Sequence, residues 1–431
     1  MVLPKTAKIN DKNHLEIGGV DSVDLVEEFN TPLFVYDEED IRSRCKEYLA
    51  NFKANDFGTE VIYAGKAFLS KAICELIDEE GLGLDVSSGG ELYLARNSSF
   101  PMEKVYMHGN NKTEKELNEA IEAGIGKIVV DSFDELDILN RIATEKGVCQ
   151  EIYLRLTPGI KPSTHSYIQT GQIDSKFGFA LESGDAMKAI NKALKLDSIS
   201  LVGAHIHIGS QIFNLHSFKR AIEVIISFIK EASGSGENIL RELNLGGGLG
   251  IKYESTDEVS TISDYCRLLI ENVSKEAKNH SLVFDKVMIE PGRSIIGNAG
   301  VTLYSVGTIK RLKGIRTYVS VDGGMSDNLR PMLYDAVYEG LIANKAKDEP
   351  KEKITIAGKH CESGDILIND IDLPKLEIGD IICTPATGAY GYVMANNYNR
   401  QPRPAVVMVK NGLVRTLIRR ESYDDLINLE S

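Results

Sequence analysis

From Glu60 onward, short β-branched apolar runs alternate with longer stretches in which apolar residues recur every three to four positions. The runs are EVIYAGK (60–66), GLDVSS (83–88), KVYMHG (104–109), KIVVDS (127–132), EIYLRLTP (151–158), LVGAHIHIG (201–209), ELNLGGG (242–248) and KVMIEPG (286–292). Between them lie helical stretches such as Thr113 to Ala123, which opens with the capping pattern T-E-K-E, and Ser217 to Ala232. Strands separated by crossover helices predict a parallel sheet, and eight of them suggest closure into a TIM-type (β/α)8 barrel. An open doubly wound sheet is the competing architecture. The runs start apolar and end in Lys66, Ser87 and Ser88, His108, Asp131, Arg155, His207, Gly246 to Gly248, or Glu290 with Arg293. Barrel enzymes carry their chemistry at that end. Turn polarity explains Ser87 or Asp131, but not a lysine, a histidine and an arginine gathered on one side.

After Arg293 the rhythm changes: VTLYSVGTIKRL, TYVSVDGG, KITIAG, DIIC and AVVMVKNG are strand-like with few helical runs between them, which predicts a mostly β domain. TPLFVYD, near the N-terminus, is a candidate strand of that domain. The expected division is a barrel over 36–300 and a β barrel or sandwich from 1–35 plus 301–431.

A chain of 431 residues exceeds what one core normally supports, in keeping with two domains. The net charge of −14 argues against nucleic acid or an anionic membrane as partner, since both would repel it. No cationic and apolar leader opens the sequence and no apolar run approaches the roughly 20 residues that span a bilayer, so a cytoplasmic location is expected. The six cysteines form no C-x-x-C pair; neither zinc nor a disulfide framework is indicated, and a thiol is available for catalysis.

Lys66 is the residue that asks for an explanation, because an ammonium just past a buried strand must reach water or find a partner. GGGLG (246–250) and EPGR (290–293) follow the seventh and eighth runs, where barrels commonly build a phosphate site from close-approaching backbone N–H groups. A lysine at one strand end and a phosphate site on the facing wall suit pyridoxal 5'-phosphate, whose aldehyde condenses with a lysine amine. Glu290 is then placed to hold the ring nitrogen protonated and His207 to lie flat against the ring. His205 and His207 share a strand face, so a packed core pair or a zinc pair are rival readings, though no third ligand spacing supports a metal.

Taken together, YAGKA (63–67), THSYIQTGQIDSKFG (164–178), HIHIGSQ (205–211), LNLGGGLG (243–250), EPGR (290–293), CESGD (361–365) and GAYGY (388–392) resemble the diaminopimelate decarboxylase family. That family lies within the alanine-racemase-like, fold type III class of pyridoxal-phosphate enzymes, with a barrel and a C-terminal β domain. The resemblance implies that Lys66 carries the cofactor, His207 stacks on it and Glu290 faces its nitrogen. It also places Ser210, Gly247, Gly248, Pro291, Gly292, Arg293 and Tyr390 around the phosphate or substrate. Arg293, Arg330, Tyr334, Glu362 and Tyr390 are implied to bind substrate, and Cys361 to be the catalytic acid. Cys361 and Glu362 would come from the second subunit of a homodimer. The implied reaction converts meso-2,6-diaminopimelate, at its D-configured centre, to L-lysine and carbon dioxide. The sequence departs from the family at Phe68, where many relatives carry asparagine, and at Lys359-His360, where a G-P context is frequent.

The alternatives are a racemase, a polyamine-pathway decarboxylase acting on ornithine, arginine or carboxynorspermidine, and a catalytically silent regulatory homologue. Glu290 argues against the first, since racemases of this class place an arginine at the ring nitrogen. The second should lack a distal-carboxylate clamp like Arg330, and retention of Lys66, Glu290 and Cys361 argues against the third.

Overall fold

The computed structural model describes residues 1–160, 175–234, 236 and 238–431. Two compact units emerge, one of Cys45–Gly250 with Val259–Gly292, the other of Met1–Arg44, Ile251–Glu258 and Arg293–Ser431.

The first unit is a closed parallel barrel of β1 (Gly58–Ala64), β2 (Gly83–Val86), β3 (Val105–Met107), β4 (Lys127–Val130), β5 (Gln150–Thr157), β6 (Ile199–His205), β7 (Glu242–Asn244) and β8 (Lys286–Ile289). Each strand pairs in parallel with the next, and β8 returns to β1 through Lys286 opposite Gly58 and Ile289 opposite Val61, so no edge is left. The open-sheet alternative is thereby excluded. Several strands end two or more residues before their apolar run suggests, because the backbone there leaves the ladder to form the loops that hold the polar residues. Ile62, Tyr106, Val129, Tyr153 and Met288, from β1, β3, β4, β5 and β8, form one buried cluster. Toward the N-terminal ends, Glu60 accepts from the Tyr106 hydroxyl at 3.0 Å and from Lys286 at 2.9 Å, a polar closure that fits the stability role of that face.

The helices between strands begin where capping side chains stop the orphan N–H groups of a first turn from being stranded. Ser70, Ser88, Ser132 and Thr261 each accept the N–H three residues on, and Thr113 forms a reciprocal capping box with Glu116, as T-E-K-E predicts.

The second unit is built around the long strand Gly300–Leu312, which pairs antiparallel with Leu33–Asp37, Arg316–Val321 and Ile381–Thr384. Leu33–Asp37, within TPLFVYD, also runs parallel to Ala405–Lys410, so an N-terminal segment lies inside the C-terminal sheet. All five of its side chains are buried, which is why this strand reads as a continuous apolar run rather than an alternating one. No helix among the described residues is long and apolar enough to cross a membrane.

Candidate active site

In the barrel unit the polar strand ends gather where the sequence places them. After β1 the chain makes one 3₁₀ turn, Gly65–Ala67, which carries Lys66. The lysine side chain keeps 38% of its exposure while Nζ lies 3.5 Å from Oδ2 of Asp85, a fully buried residue of β2. Neither Asp85 oxygen has a hydrogen-bond partner among the described residues, so the ammonium is what offsets the burial of that carboxylate. Lys66 therefore has a buried partner in Asp85.

Glu290 follows β8 and is buried. Asn244 Nδ2, at the end of β7, donates to its Oε1 at 2.7 Å, His108 Nε2 lies 2.9 Å from the same oxygen, and His205 Nε2 donates to Oε2 at 3.2 Å. The two imidazoles meet edge to face, with centroids 4.8 Å apart. Burial alone would raise the Glu290 carboxyl, but His108 and His205 beside it hold it well below the usual carboxylate range. Burial pushes His205 down to about 4, so it acts as a neutral donor. His108, His205 and Glu290 have ligand-type atoms within 4.8 Å of one another, but each is engaged with the others.

His207 lies two residues beyond β6, and its Nδ1 accepts the Gly247 N–H at 3.3 Å. Burial, then the cations of Lys66 and Arg155, keep it well below the ordinary histidine range, leaving a neutral ring. His205 and His207 thus serve different partners, Glu290 and the Gly247 N–H. The loop of Ser210 is tied to the glycine loop by an Ile212–Leu249 bridge and by the Ile212 N–H donating to Gly248 O at 2.9 Å. A Cβ on Gly247 would sit 2.1 Å from Glu290 O, and one on Gly248 2.3 Å from Gly209 O. Backbone packing of three loops therefore demands these glycines whether or not an anion binds. Pro291 O accepts the Ala64 N–H at 3.1 Å, which joins Pro291-Gly292 to the strand that leads into Lys66.

The β unit holds a cluster of its own. Arg293 donates to the Tyr253 hydroxyl, and its Cζ lies 4.6 Å from the Tyr390 ring centroid. Arg330 donates to the Tyr338 hydroxyl at 2.7 Å, and its Cζ lies 4.6 Å from the Tyr253 centroid and 5.9 Å from that of Tyr334. Both arginines are buried, Arg330 Nε has no acceptor, and no carboxylate pairs with Arg330 among the described residues. Burial would raise the Tyr253 phenol, but the two guanidiniums bring it below its ordinary value. Cys361 and Glu362 are exposed on the loop between Glu352–Ala357 and Ile366–Leu373. The motif stretch 164–174 lies outside the described residues.

Asp85, Asn244, Tyr253 and Tyr338 are not singled out from the sequence. A charged or amide residue inside an apolar run, as in GLDV and ELN, was the available signal for the first two. The tyrosines offered none, because their neighbours are brought by the fold.

The donor set fits pyridoxal phosphate: a half-exposed amine against a buried carboxylate, an anionic carboxylate for a protonated ring nitrogen, and a neutral flat imidazole. Residues 38–297 match the family described as "Pyridoxal-dependent decarboxylase, pyridoxal binding domain". The chain is 49% identical to diaminopimelate decarboxylase of Halalkalibacterium halodurans over 99% of its length and 97% of the relative's. It is 48% identical to that of Bacillus subtilis over 100% and 98%. The chain belongs to the diaminopimelate decarboxylase family. A crystal structure of the M. jannaschii family member in co-complex with L-lysine superposes with a TM-score of 0.93 at 37% identity, covering 99% of this chain and 98% of that one. The family's barrel and β domain are those described above.

Proposed function

We propose that this chain decarboxylates meso-2,6-diaminopimelate to L-lysine and carbon dioxide, using pyridoxal 5'-phosphate and acting as a homodimer. The observation that carries the substrate is Arg330, a buried guanidinium among tyrosines with no carboxylate of its own among the described residues. Such a group is matched by a ligand carboxylate, which diaminopimelate has at its distal end and ornithine lacks.

Lys66 would hold the cofactor's aldehyde, His207 its ring face and Glu290 its ring nitrogen. Ser210, Gly247, Gly248, Pro291, Gly292, Arg293 and Tyr390 would surround its phosphate. When bound, the cofactor supplies an electron sink for the pair left behind as carbon dioxide departs. Glu290, kept anionic by its neighbours, stabilises a proton on the ring nitrogen and so strengthens that sink. Arg330, with Tyr334, orients the distal carboxylate, and Glu362 the distal ammonium. Arg293 and Tyr390 add contacts on the substrate side. Cys361 of a second copy delivers the proton that Cα requires, a thiol being largely protonated at neutral pH.

The test is an absorption spectrum of the purified protein before and after borohydride, then carbon dioxide release from diaminopimelate, lysine and ornithine in parallel. A visible band lost on reduction and release from diaminopimelate alone are expected. Release from ornithine would move the chain to the polyamine decarboxylases; no band and no release would mean a silent homologue.

A further inference from the structure

Asp365 is buried four residues after Cys361, and its carboxylate gathers three donors. Its Oδ2 accepts the His360 N–H at 3.0 Å and faces His360 Nδ1 at 2.8 Å, while Oδ1 accepts the Met325 N–H at 2.7 Å. Its backbone closes the same loop: the carbonyl accepts the Gly358 N–H at 2.9 Å and the N–H donates to Glu362 O at 3.1 Å. Through its carboxylate and its backbone, Asp365 thus ties GKHCESGD, residues 358–365, across its width and to Met325. The room for it comes from glycines, since a Cβ on Gly358 would lie 2.1 Å from Oδ2 and one on Gly324 2.6 Å from either oxygen.

His360 is the second half of the device. Its side chain is fully buried and stacks on Tyr398, with centroids 5.7 Å apart and planes within 10°. With Nδ1 donating to Asp365, Nε2 is left buried and without a partner among the described residues. The residue after Tyr398, Asn399, holds a left-handed φ of 52° and accepts the Cys361 N–H on Oδ1 at 2.9 Å. The exposed thiol is therefore bracketed, its own N–H held by Asn399 and the preceding residue locked to Asp365.

We propose that His360 and Asp365 are positioning residues that fix the loop presenting Cys361 and Glu362. The proposal rests on the roles given to those two residues above. It also assigns a purpose to His360, the departure that the family resemblance left unexplained.

The experiment uses the holoenzyme with His360→Ala, His360→Asn and Asp365→Asn, each also in a Cys361→Ala background. Asparagine is the conservative variant because its amide nitrogen can take the place of Nδ1. His360→Ala and Asp365→Asn should lower kcat at least 10-fold without changing the bound cofactor's spectrum, and His360→Asn should recover most of it. In the Cys361→Ala background His360→Ala should cost less than 2-fold in kcat, since its effect on turnover acts through the thiol while its effect through Glu362 is read in KM. Amide exchange over 358–365 should quicken at least 10-fold in His360→Ala while barrel peptides keep their rates. An equal loss of kcat with and without the thiol, or unchanged exchange over 358–365, would overturn the proposal. Wild-type turnover in Cys361→Ala alone would instead remove the role given to the cysteine, and the exchange rates would still judge the pinning. If Asp365→Asn does not fold, the two His360 variants carry the same comparisons.

Discussion

At the scale of single residues, Lys66 and Asp85 set a buried carboxylate against one cation, and the pair predicts its own double variant. Lys66→Ala should abolish the visible cofactor band and nearly all turnover. It should also lower the melting temperature of the cofactor-free protein, because Asp85 then stays buried with no cation 3.5 Å away. Adding Asp85→Asn should restore the melting temperature but not turnover; a single variant as stable as wild type would show that the pair is not what offsets Asp85. Asp327 poses the opposite problem. It is buried, accepts from the Tyr304 hydroxyl at 2.5 Å and the Gly324 N–H at 2.9 Å, and burial still pushes it up to about 7. Its folded pKa exceeds its unfolded value, so the native state holds the proton more tightly. That contribution is complete below about pH 4 and lost as pH rises through about 7. Melting curves from pH 5 to 8 should therefore show wild type losing several degrees that Asp327→Asn, neutral throughout, does not lose. Parallel curves would mean that Asp327 is ionised across the range.

At the scale of elements, the eight barrel strands were legible because a strand buried on both faces reads as an uninterrupted apolar run. Lys66, His207 and Glu290 were legible because polar groups at one end of such runs have few structural explanations. What stayed hidden was the traffic between distant segments. Nothing in the eight residues Ile251–Glu258 announces that Tyr253 meets Arg293 and Arg330, and nothing around His108 announces Glu290. Arg330 shows why this matters. It opens the short helix Arg330–Tyr334, is followed by Pro331 at a position where a helix needs no N–H, and is turned under Tyr253 and Tyr338 rather than toward an acid. A guanidinium so fixed should be worth on the order of 2–5 kcal/mol to a substrate that pairs with it. Arg330→Ala should thus cut kcat/KM for diaminopimelate about 30-fold or more and leave the cofactor spectrum alone. Steady-state rates on diaminopimelate, lysine and ornithine decide it: no loss on diaminopimelate, or a wild type that prefers a diamine with one carboxylate, would remove the arginine from substrate recognition.

At the scale of the whole molecule, the proposed chemistry is divided between the two compact units. Lys66, His207 and Glu290 belong to the barrel unit, whereas Arg330, Cys361 and Glu362 belong to the β unit. If Cys361 serves the site of a second copy, no isolated chain has a complete set, and activity is a property of the dimer. Mixing tests this without any further structure. Lys66→Ala and Cys361→Ala should each be nearly inactive alone. After subunit exchange of equal amounts, about half the dimers are mixed. In each of these one site combines both lesions and the other combines neither, so about a quarter of wild-type turnover should return. Recovery should also fall on dilution below the dimer's dissociation constant, as mass action requires. Were the thiol to act within its own chain, every site in a mixed dimer would still lack one group, and nothing would return even with exchange demonstrated by differently tagged chains.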